Sequence, residues 1–293
     1  MISVFASLIA GLGLFFVGLH FLTEHLKMLS GRRLRQRIAS LTKHPLQGIF
    51  WGGVLISITQ STAATTFILI GMMRSRMMDM RQALPILVGT NMLAWVIVLV
   101  LVFDIKAAIF FVLGLAGFIY TNDKARSWRT MAGAVFGIAL LFLGLSTMQA
   151  GVAPFVDTPF FDSALQWTRG SYMLGLFIGA GLSFLVQSSL AVTVLAIALQ
   201  HAGLFSLSES IMVVYGASIG SSILTLALSS SLQGQSKQLA MFQTAYNFIS
   251  AIILVPMFYL EIYGNVPLVK ALVTAVSQNG GTQIAMVKLI FNA

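Results

Sequence analysis

The sequence of 293 residues is 58% hydrophobic and only 9% charged, with a mean hydropathy of +0.93. A soluble domain carries roughly 25% charge, so this chain has too little polar surface to face water, and soluble enzymes, secreted disulfide scaffolds and disordered chains are excluded. The absence of cysteine removes disulfides, thiolate metal sites and cysteine nucleophiles, and the formal charge of +9 is left to be explained.

Long apolar runs fall at about Ile2–Leu22, Leu46–Met73, Ala83–Phe103, Ala107–Tyr120, Met131–Ala150, Met173–Leu199, Ile211–Ser229 and Leu239–Leu260. About 20 helical residues cross a bilayer core. Leu46–Met73 and Met173–Leu199 exceed this at 28 and 27 residues. Each is broken near its middle by polar residues, Thr59-Gln60-Ser61-Thr62 and Gln187-Ser188-Ser189. That pattern predicts a re-entrant hairpin: a half-helix in, an unwound polar turn, a half-helix out.

If both hairpins re-enter and every other run crosses once, thirteen of the 17 basic residues fall on one face. They are Lys27, Arg32, Arg33, Arg35, Arg37, Lys43, Arg74, Arg76, Arg81, Lys124, Arg126, Arg129 and Lys237. Lys106, Arg169 and Lys270 lie opposite, and Lys288 is unassigned. A single crossing of Leu46–Met73 would destroy this asymmetry. The charge is therefore an orientation signal that places the basic loops in the cytoplasm, and a nucleic-acid partner is not expected. Arg32–Thr42, with Leu34, Ile38 and Leu41 spaced i, i+4, i+7 between basic residues, predicts a short amphipathic surface helix.

The chain also repeats itself. Gly11, Leu14, Phe16, Gly18 and Leu19 match Gly137, Leu140, Phe142, Gly144 and Leu145 at an offset of 126. Gly48, Phe50, Gly52, Leu55, Gln60, Ser61, Ala64 and Thr66 match Gly175, Phe177, Gly179, Leu182, Gln187, Ser188, Ala191 and Thr193 at 127, as Gly89 matches Gly216. Three crossings separate corresponding points, an odd number, so the second copy is predicted to be inverted. The expected fold is an all-α polytopic membrane protein of two inverted-topology repeats, 1–125 and 126–293, each with one re-entrant hairpin. Converging broken helices of this kind describe a secondary transporter.

Lipid cannot satisfy an unwound backbone, so each tip must line a cavity or pack in protein. Hydroxyls placed where the second half-helix begins are good caps. Free N–H groups and the helix dipole there attract an anion, while hydroxyl and carbonyl oxygens suit sodium. A second polar constellation comprises Gly89-Thr90-Asn91 and Gly216-Ala217-Ser218-Ile219-Gly220-Ser221-Ser222. Small residues there also serve close helix packing, and intramembrane Ser and Thr commonly bond back to i−4 carbonyls.

Gly216–Gly220 fits G-x-S-x-G, but its flanks are apolar helix rather than the strand-to-helix turn of a nucleophile elbow. His20 is the only histidine inside a run and is expected to pack there, while His25, His44 and His201 are expected at the interface. No H-E-x-x-H spacing and no mid-span carboxylate occur, so metalloprotease and proton-relay chemistry are not indicated. The chain is not read as an enzyme and no cofactor is expected.

At these residues the sequence resembles the type II sodium-dependent phosphate cotransporter family in its bacterial form. Members carry Q-S-S-S-A-T in each repeat followed by G-A-N-I-G-T-T. Here the first motifs read Gln60-Ser61-Thr62-Ala63-Ala64-Thr65-Thr66 and Gln187-Ser188-Ser189-Leu190-Ala191-Val192-Thr193. The opening Gly11–Gly18, the basic stretch through Pro45, and Leu239–Asn247 with Pro256 are similar too. The second motif departs: the first copy reads Gly89-Thr90-Asn91-Met92-Leu93-Ala94-Trp95, the second has Ser218 for Asn and Ser221-Ser222 for the threonine pair, and Gln243 stands where members commonly have His.

The resemblance implies sodium-coupled import of inorganic phosphate by alternating access, in a multi-pass protein of the cell (inner) membrane. It assigns substrate and ion binding to Gln60, Ser61, Thr62, Thr65, Thr66, Asn91, Gln187, Ser188, Ser189, Thr193, Ser218, Ser221, Ser222 and Asn247. The candidate sodium ligands are Gln60, Ser61, Thr62, Gln187, Ser188 and Ser189. The partners expected are phosphate, sodium as coupling ion and the lipid bilayer, with a homo-oligomer left open. Two other readings stay open: a carrier of another small oxyanion or solute on the same scaffold, and a non-transporting membrane subunit.

Gln283–Asn292 echoes Gln238–Asn247 at an offset of 45. Val266–Val276 is too short to span and predicts an interfacial helix. In the family the second F-N element leads into a further helix, so the end of this chain reads as a helix cut short, without the family's frequent soluble C-terminal domain.

Overall fold

A computed structural model describes residues 2–29, 32–42, 44–102, 106–122, 128–152 and 171–293. The described residues contain thirteen helices and no strand. In chain order these are α1 (Ile2–Leu29), α2 (Arg32–Leu41), α3 (Pro45–Thr59), α4 (Thr62–Arg74), α5 (Met80–Val102), α6 (Lys106–Thr121) and α7 (Arg129–Val152), then α8 (Tyr172–Val186), α9 (Ser189–His201), α10 (Leu207–Leu228), α11 (Gly234–Gly264), α12 (Val269–Val276) and α13 (Gly280–Phe291). The expected all-α class is what the structure has. Part of the basic stretch and Lys43, Lys124, Arg126 and Arg169 lie outside the described residues or side chains.

Three helices are long and apolar enough to cross a bilayer: Met80–Leu99 within α5, α10 and α11. α3 and α4 qualify together as a fourth segment, bent by 118° at their junction. The remaining apolar stretches, among them Ile9–Leu22 in α1 and Arg129–Gly144 in α7, are shorter than a span over the described residues.

The chain forms two compact units, each drawing on both halves of the sequence. The first comprises Met1–Gly31, Phe103–Gly170 and Ala198–Phe205. Here α1 packs on α7 through glycines. A Cβ at Gly18 would sit 2.7 Å from the Gly137 carbonyl, one at Gly137 2.5 Å from the Leu22 nitrogen, and one at Gly144 2.5 Å from the Gly11 carbonyl. As α1 advances from Gly11 to Leu22 its partner positions fall from Gly144 to Gly137, so the two helices run antiparallel. His25 fills the space over Gly133 and stacks on Phe21. The expectation is thereby reversed for His20 and His25. His25 is buried, its Nδ1 2.7 Å from the Phe21 carbonyl, whereas the His20 side chain is exposed beside Glu24. A glycine opposite made room for one ring, and no run-based reading detects that.

The second unit comprises Arg32–Val102, Ser171–Ile197 and Ser206–Ala293. α2 forms where the sequence predicts it and tucks Ile38 into the core, while Leu41 stays half exposed. α3 starts at a fixed point: Pro45 has the right φ for a first turn, and the His44 Nδ1 accepts from the Leu46 amide at 3.3 Å. α3 lies along α5 at backbone contact. A Cβ on Gly52 would meet the Ile86 carbonyl at 2.1 Å, and one on Gly89 the Ile49 carbonyl at 2.1 Å. The same contact recurs 127 residues on between α8 and α10, where a Cβ on Gly179 would meet the Val213 carbonyl at 2.1 Å and one on Gly216 that of Leu176 at 1.9 Å. Small residues let membrane helices approach this closely, because lipid offers apolar side chains no burial gain.

α11 runs 31 residues with Pro256 inside. Near its C-terminal end, Glu261 accepts the Leu268, Lys270 and Ala271 amides at 3.0, 2.7 and 2.6 Å, placing a carboxylate on the N-terminus of α12.

Gly179→Ala should destabilise the protein by about 1–3 kcal/mol, because α8 and α10 must separate. Gly181→Ala, with nothing within 4 Å of its Cβ, should not. Thermal unfolding of the two variants in detergent checks this. Glu261→Gln should cost about 1 kcal/mol or more through the lost charge at that helix start, read as faster amide exchange confined to α12.

Candidate functional site

The two breaks in the apolar runs have the same construction. α3 ends at Gln60 and α8 at Gln187, and both glutamines hold left-handed backbone, φ 51° and 60°. That conformation costs a residue with a side chain about 1–2 kcal/mol, so its recurrence at matched positions means the surroundings impose it twice. The next residue, Ser61 or Ser188, caps the following half-helix. The Ser61 Oγ accepts the Ala64 amide at 3.3 Å, and the Ser188 Oγ that of Ala191 at 3.2 Å.

Each serine then reaches across to the other break. Ser61 donates from Oγ to the Gln187 carbonyl at 2.8 Å, and Ser188 to the Gln60 carbonyl at 2.7 Å. The two tips are thus brought together within the second unit, closed on one another by a reciprocal pair. Thr62 and Ser189 are the first residues of α4 and α9, buried, with amides that have no acceptor in their own helices. Gln60 and Ser61 are half-buried, and Gln187 is exposed.

Two further tip hydroxyls serve the backbone. Thr66 donates to the Thr62 carbonyl and Thr193 to that of Ser189, both at 2.8 Å. Thr65 pairs with Thr59 at 2.7 Å, so Thr59 belongs to the first tip as well. Back-bonding of this kind uses the hydroxyl hydrogen and leaves oxygen lone pairs outward, a surface that suits a cation.

A second tier joins α5, α10, α11 and α13. Asn91 and Gln243 exchange side-chain amides, at 2.7 and 3.0 Å. Asn292 donates to the Asn91 carbonyl at 3.0 Å, and Tyr246 donates its hydroxyl to the Asn292 carbonyl. Asn247 donates to the Ser222 Oγ at 2.8 Å and to the Ser218 carbonyl at 3.3 Å. Ser221 and Ser222 also bond back to the Ser218 carbonyl, at 2.9 and 3.1 Å. Lys288, 2% exposed, donates from Nζ to the Ser218 Oγ at 2.7 Å.

The structure therefore gathers the predicted residues into two groups: the six tip positions with their threonines, and Asn91, Ser218, Ser221, Ser222 and Asn247. Gln243, Lys288 and Asn292 belong to the second group and were missed as site residues. The signal for them was present, since the offset of 45 sets Lys288 on Gln243 and Asn292 on Asn247. Among the described residues no group of three or more His, Asp or Glu could hold a metal ion.

Comparison with known proteins gives a consistent picture. The chain is 25% identical over 272 residues to the Escherichia coli K12 protein named "Putative inorganic phosphate export protein YjbB", covering 90% of this chain and 49% of that one. The Salmonella typhimurium protein of the same name is 25% identical over 255 residues, covering 85% and 46%. The Bacillus subtilis protein named "Uncharacterized protein YqeW" is 21% identical over 242 residues, covering 83% and 78%. The chain spans about half the length of the first of these relatives. No solved structure matches it. Residues 14–150 and 156–269 match the family described as Na+/Pi-cotransporter. The chain is a multi-pass membrane protein and belongs to the Na+/Pi-cotransporter family.

Proposed function

We propose that the chain is a sodium-coupled carrier of inorganic phosphate working by alternating access, with the two Gln-Ser tips as its substrate and ion site. The observation that carries this reading is the reciprocal bonding of Ser61 and Ser188 to the opposite tip's carbonyl. Irregular backbone at membrane depth persists only where protein or a water-filled cavity satisfies it. Here the tips satisfy each other. Separating them frees two hydroxyl donors, two carbonyl oxygens and two helix N-termini in one place. The donors suit a tetrahedral oxyanion and the oxygens suit sodium. Each bond contributes only about 0.5–1.5 kcal/mol net, so bound phosphate and sodium can replace the pair.

Inverted repeats over 1–125 and 126–293 fit this mechanism. The matched helices α1 and α7 cross antiparallel, as an axis in the membrane plane requires, and the glycine contacts of α3 on α5 recur in α8 on α10. On this reading α3–α4 and α8–α9 are re-entrant hairpins opening to opposite sides of the inner membrane. The basic loops face the cytoplasm.

An inward sodium gradient makes such a carrier an importer. The name of the Escherichia coli relative favours the opposite direction, and a carrier reverses with its driving gradient. In liposomes holding the purified chain, radiolabelled phosphate should accumulate with an inward sodium gradient and leave with an outward one. Phosphate flux indifferent to sodium would remove the coupling, flux of another anion alone would favour a different solute, and no flux from folded protein would favour a non-transporting subunit. Ser61→Ala and Ser188→Ala should each lower phosphate flux about tenfold or more while leaving thermal stability within a few degrees of the parent, which separates a site role from a folding one.

A further inference from the structure

The second tier holds two equivalent polar stations, and only the second carries an amine. Asn91 and Ser218 correspond at the offset of 127, while Gln243 and Asn247 correspond to Lys288 and Asn292 at 45. The bonds cross accordingly. On α11, Gln243 takes the side chain of Asn91 and Asn247 takes the carbonyl of Ser218. On α13, Lys288 takes the side chain of Ser218 and Asn292 takes the carbonyl of Asn91. The first station closes with a neutral amide pair. The second carries a primary amine in the same place.

Packing does not account for that amine, because an amide fills the equivalent position. Nor is its charge compensated within the protein. Lys288 is the only fully buried lysine or arginine among the described residues, and no carboxylate lies within 4.0 Å of it there. Of three N–H donors one goes to the Ser218 Oγ, and the Phe291 ring centroid lies 5.7 Å from Nζ. A buried cation without a counter-ion is expensive, and an arriving anion removes that cost. The Ser218, Ser221 and Ser222 hydroxyls donate to the Val214 and Ser218 carbonyls and the Asn247 amide to Ser218 and Ser222, so Nζ is the group at this station with N–H donors to spare for an oxyanion.

We propose that Lys288 is an anchoring cation for the transported tetrahedral oxyanion, meeting it at the second station with the N–H groups that Ser218 does not take. The proposal rests on the reading of the chain as a phosphate carrier. A fixed ammonium supplies one positive charge that the carrier would otherwise recruit as a further sodium ion. It stays with the protein, so it contributes affinity without adding to the ions moved.

Lys288→Gln copies the first station, keeping a donor for Ser218 and removing the charge. Lys288→Met removes both, and Lys288→Arg keeps the charge. Inorganic phosphate is titrated against the thermal unfolding of each purified full chain in detergent, and the KM for phosphate uptake is measured in liposomes. The Gln and Met variants should need about ten- to a hundredfold more phosphate for the same stabilisation, with KM raised alike. The Arg variant should recover part of the loss. Equal phosphate response in Lys288→Gln and the parent overturns the proposal, as does failure of both neutral variants to fold, which would make the charge structural. Stabilisation by phosphate that is lost in Lys288→Gln, without vectorial flux in the parent, would keep the anchoring cation and remove the transport reading. Unaltered KM in Lys288→Gln would do the reverse, and a parent that neither binds nor moves phosphate removes both.

Discussion

The central constraint is that a helix interrupted in an apolar interior exposes backbone groups that nothing nearby can solvate. Here the interruption occurs twice, and each solves the other's problem. The glutamine carbonyl released by left-handed backbone at one tip receives the serine hydroxyl of the other, and that serine also caps its own helix. One serine side chain thereby satisfies two backbone groups, an amide of its own helix and a carbonyl of the other tip. The close helix contacts follow from this requirement. Two tips meet only if each half-helix is held in register against a long neighbour, and Gly52, Gly89, Gly179 and Gly216 allow backbone-to-backbone approach on both sides.

The second tier answers a different need. α5 and α10 carry the small residues that admit the half-helices, and small residues leave little side chain for other packing. Side-chain amides from α11 and α13 fill that role. Asn247 and Asn292 bond to carbonyls, Gln243 to a side chain, and all lie under or beside the helices that support the tips. A polar network of this kind is stable only when nearly every member is paired, and Asn91, Gln243, Asn247 and Asn292 are.

Much of the tip geometry was legible in the sequence. A Gln-Ser pair in the middle of a 28-residue apolar run has one ready interpretation, because serine caps and an apolar run of that length must break. The constant offset of 127 foretold that Gly52 and Gly179 would do the same work. What stayed hidden depended on contacts remote in sequence. Nothing local to Gln243 says that it faces Asn91, 152 positions away, and nothing local to Lys288 says that it points at Ser218 rather than outward to an interface. The burial of His25 was illegible for the same reason, since it depends on Gly133 leaving room. The tip threonines show a subtler limit. Composition marks Thr66 and Thr193 as polar lining, but only geometry shows their hydrogens committed to carbonyls one turn back.

That commitment bears on how the proposed site could serve ions of opposite sign. A hydroxyl whose hydrogen is fixed by its own helix presents oxygen, and so behaves toward a ligand as a weak carbonyl. A hydroxyl whose hydrogen bonds to the opposite tip can turn its hydrogen to a ligand once that tip withdraws. Thr66 and Thr193 are of the first kind, Ser61 and Ser188 of the second. The same residue chemistry thus yields a cation-facing surface and an anion-facing one, separated by which carbonyl holds the hydrogen. A sodium ion bound as proposed would need no carboxylate, and separated tips would change the sign of what the serines can bind. On the proposed reading, coupling between the two ions would follow from geometry, because a separation that exposes the donors also exposes the Gln60 and Gln187 carbonyls.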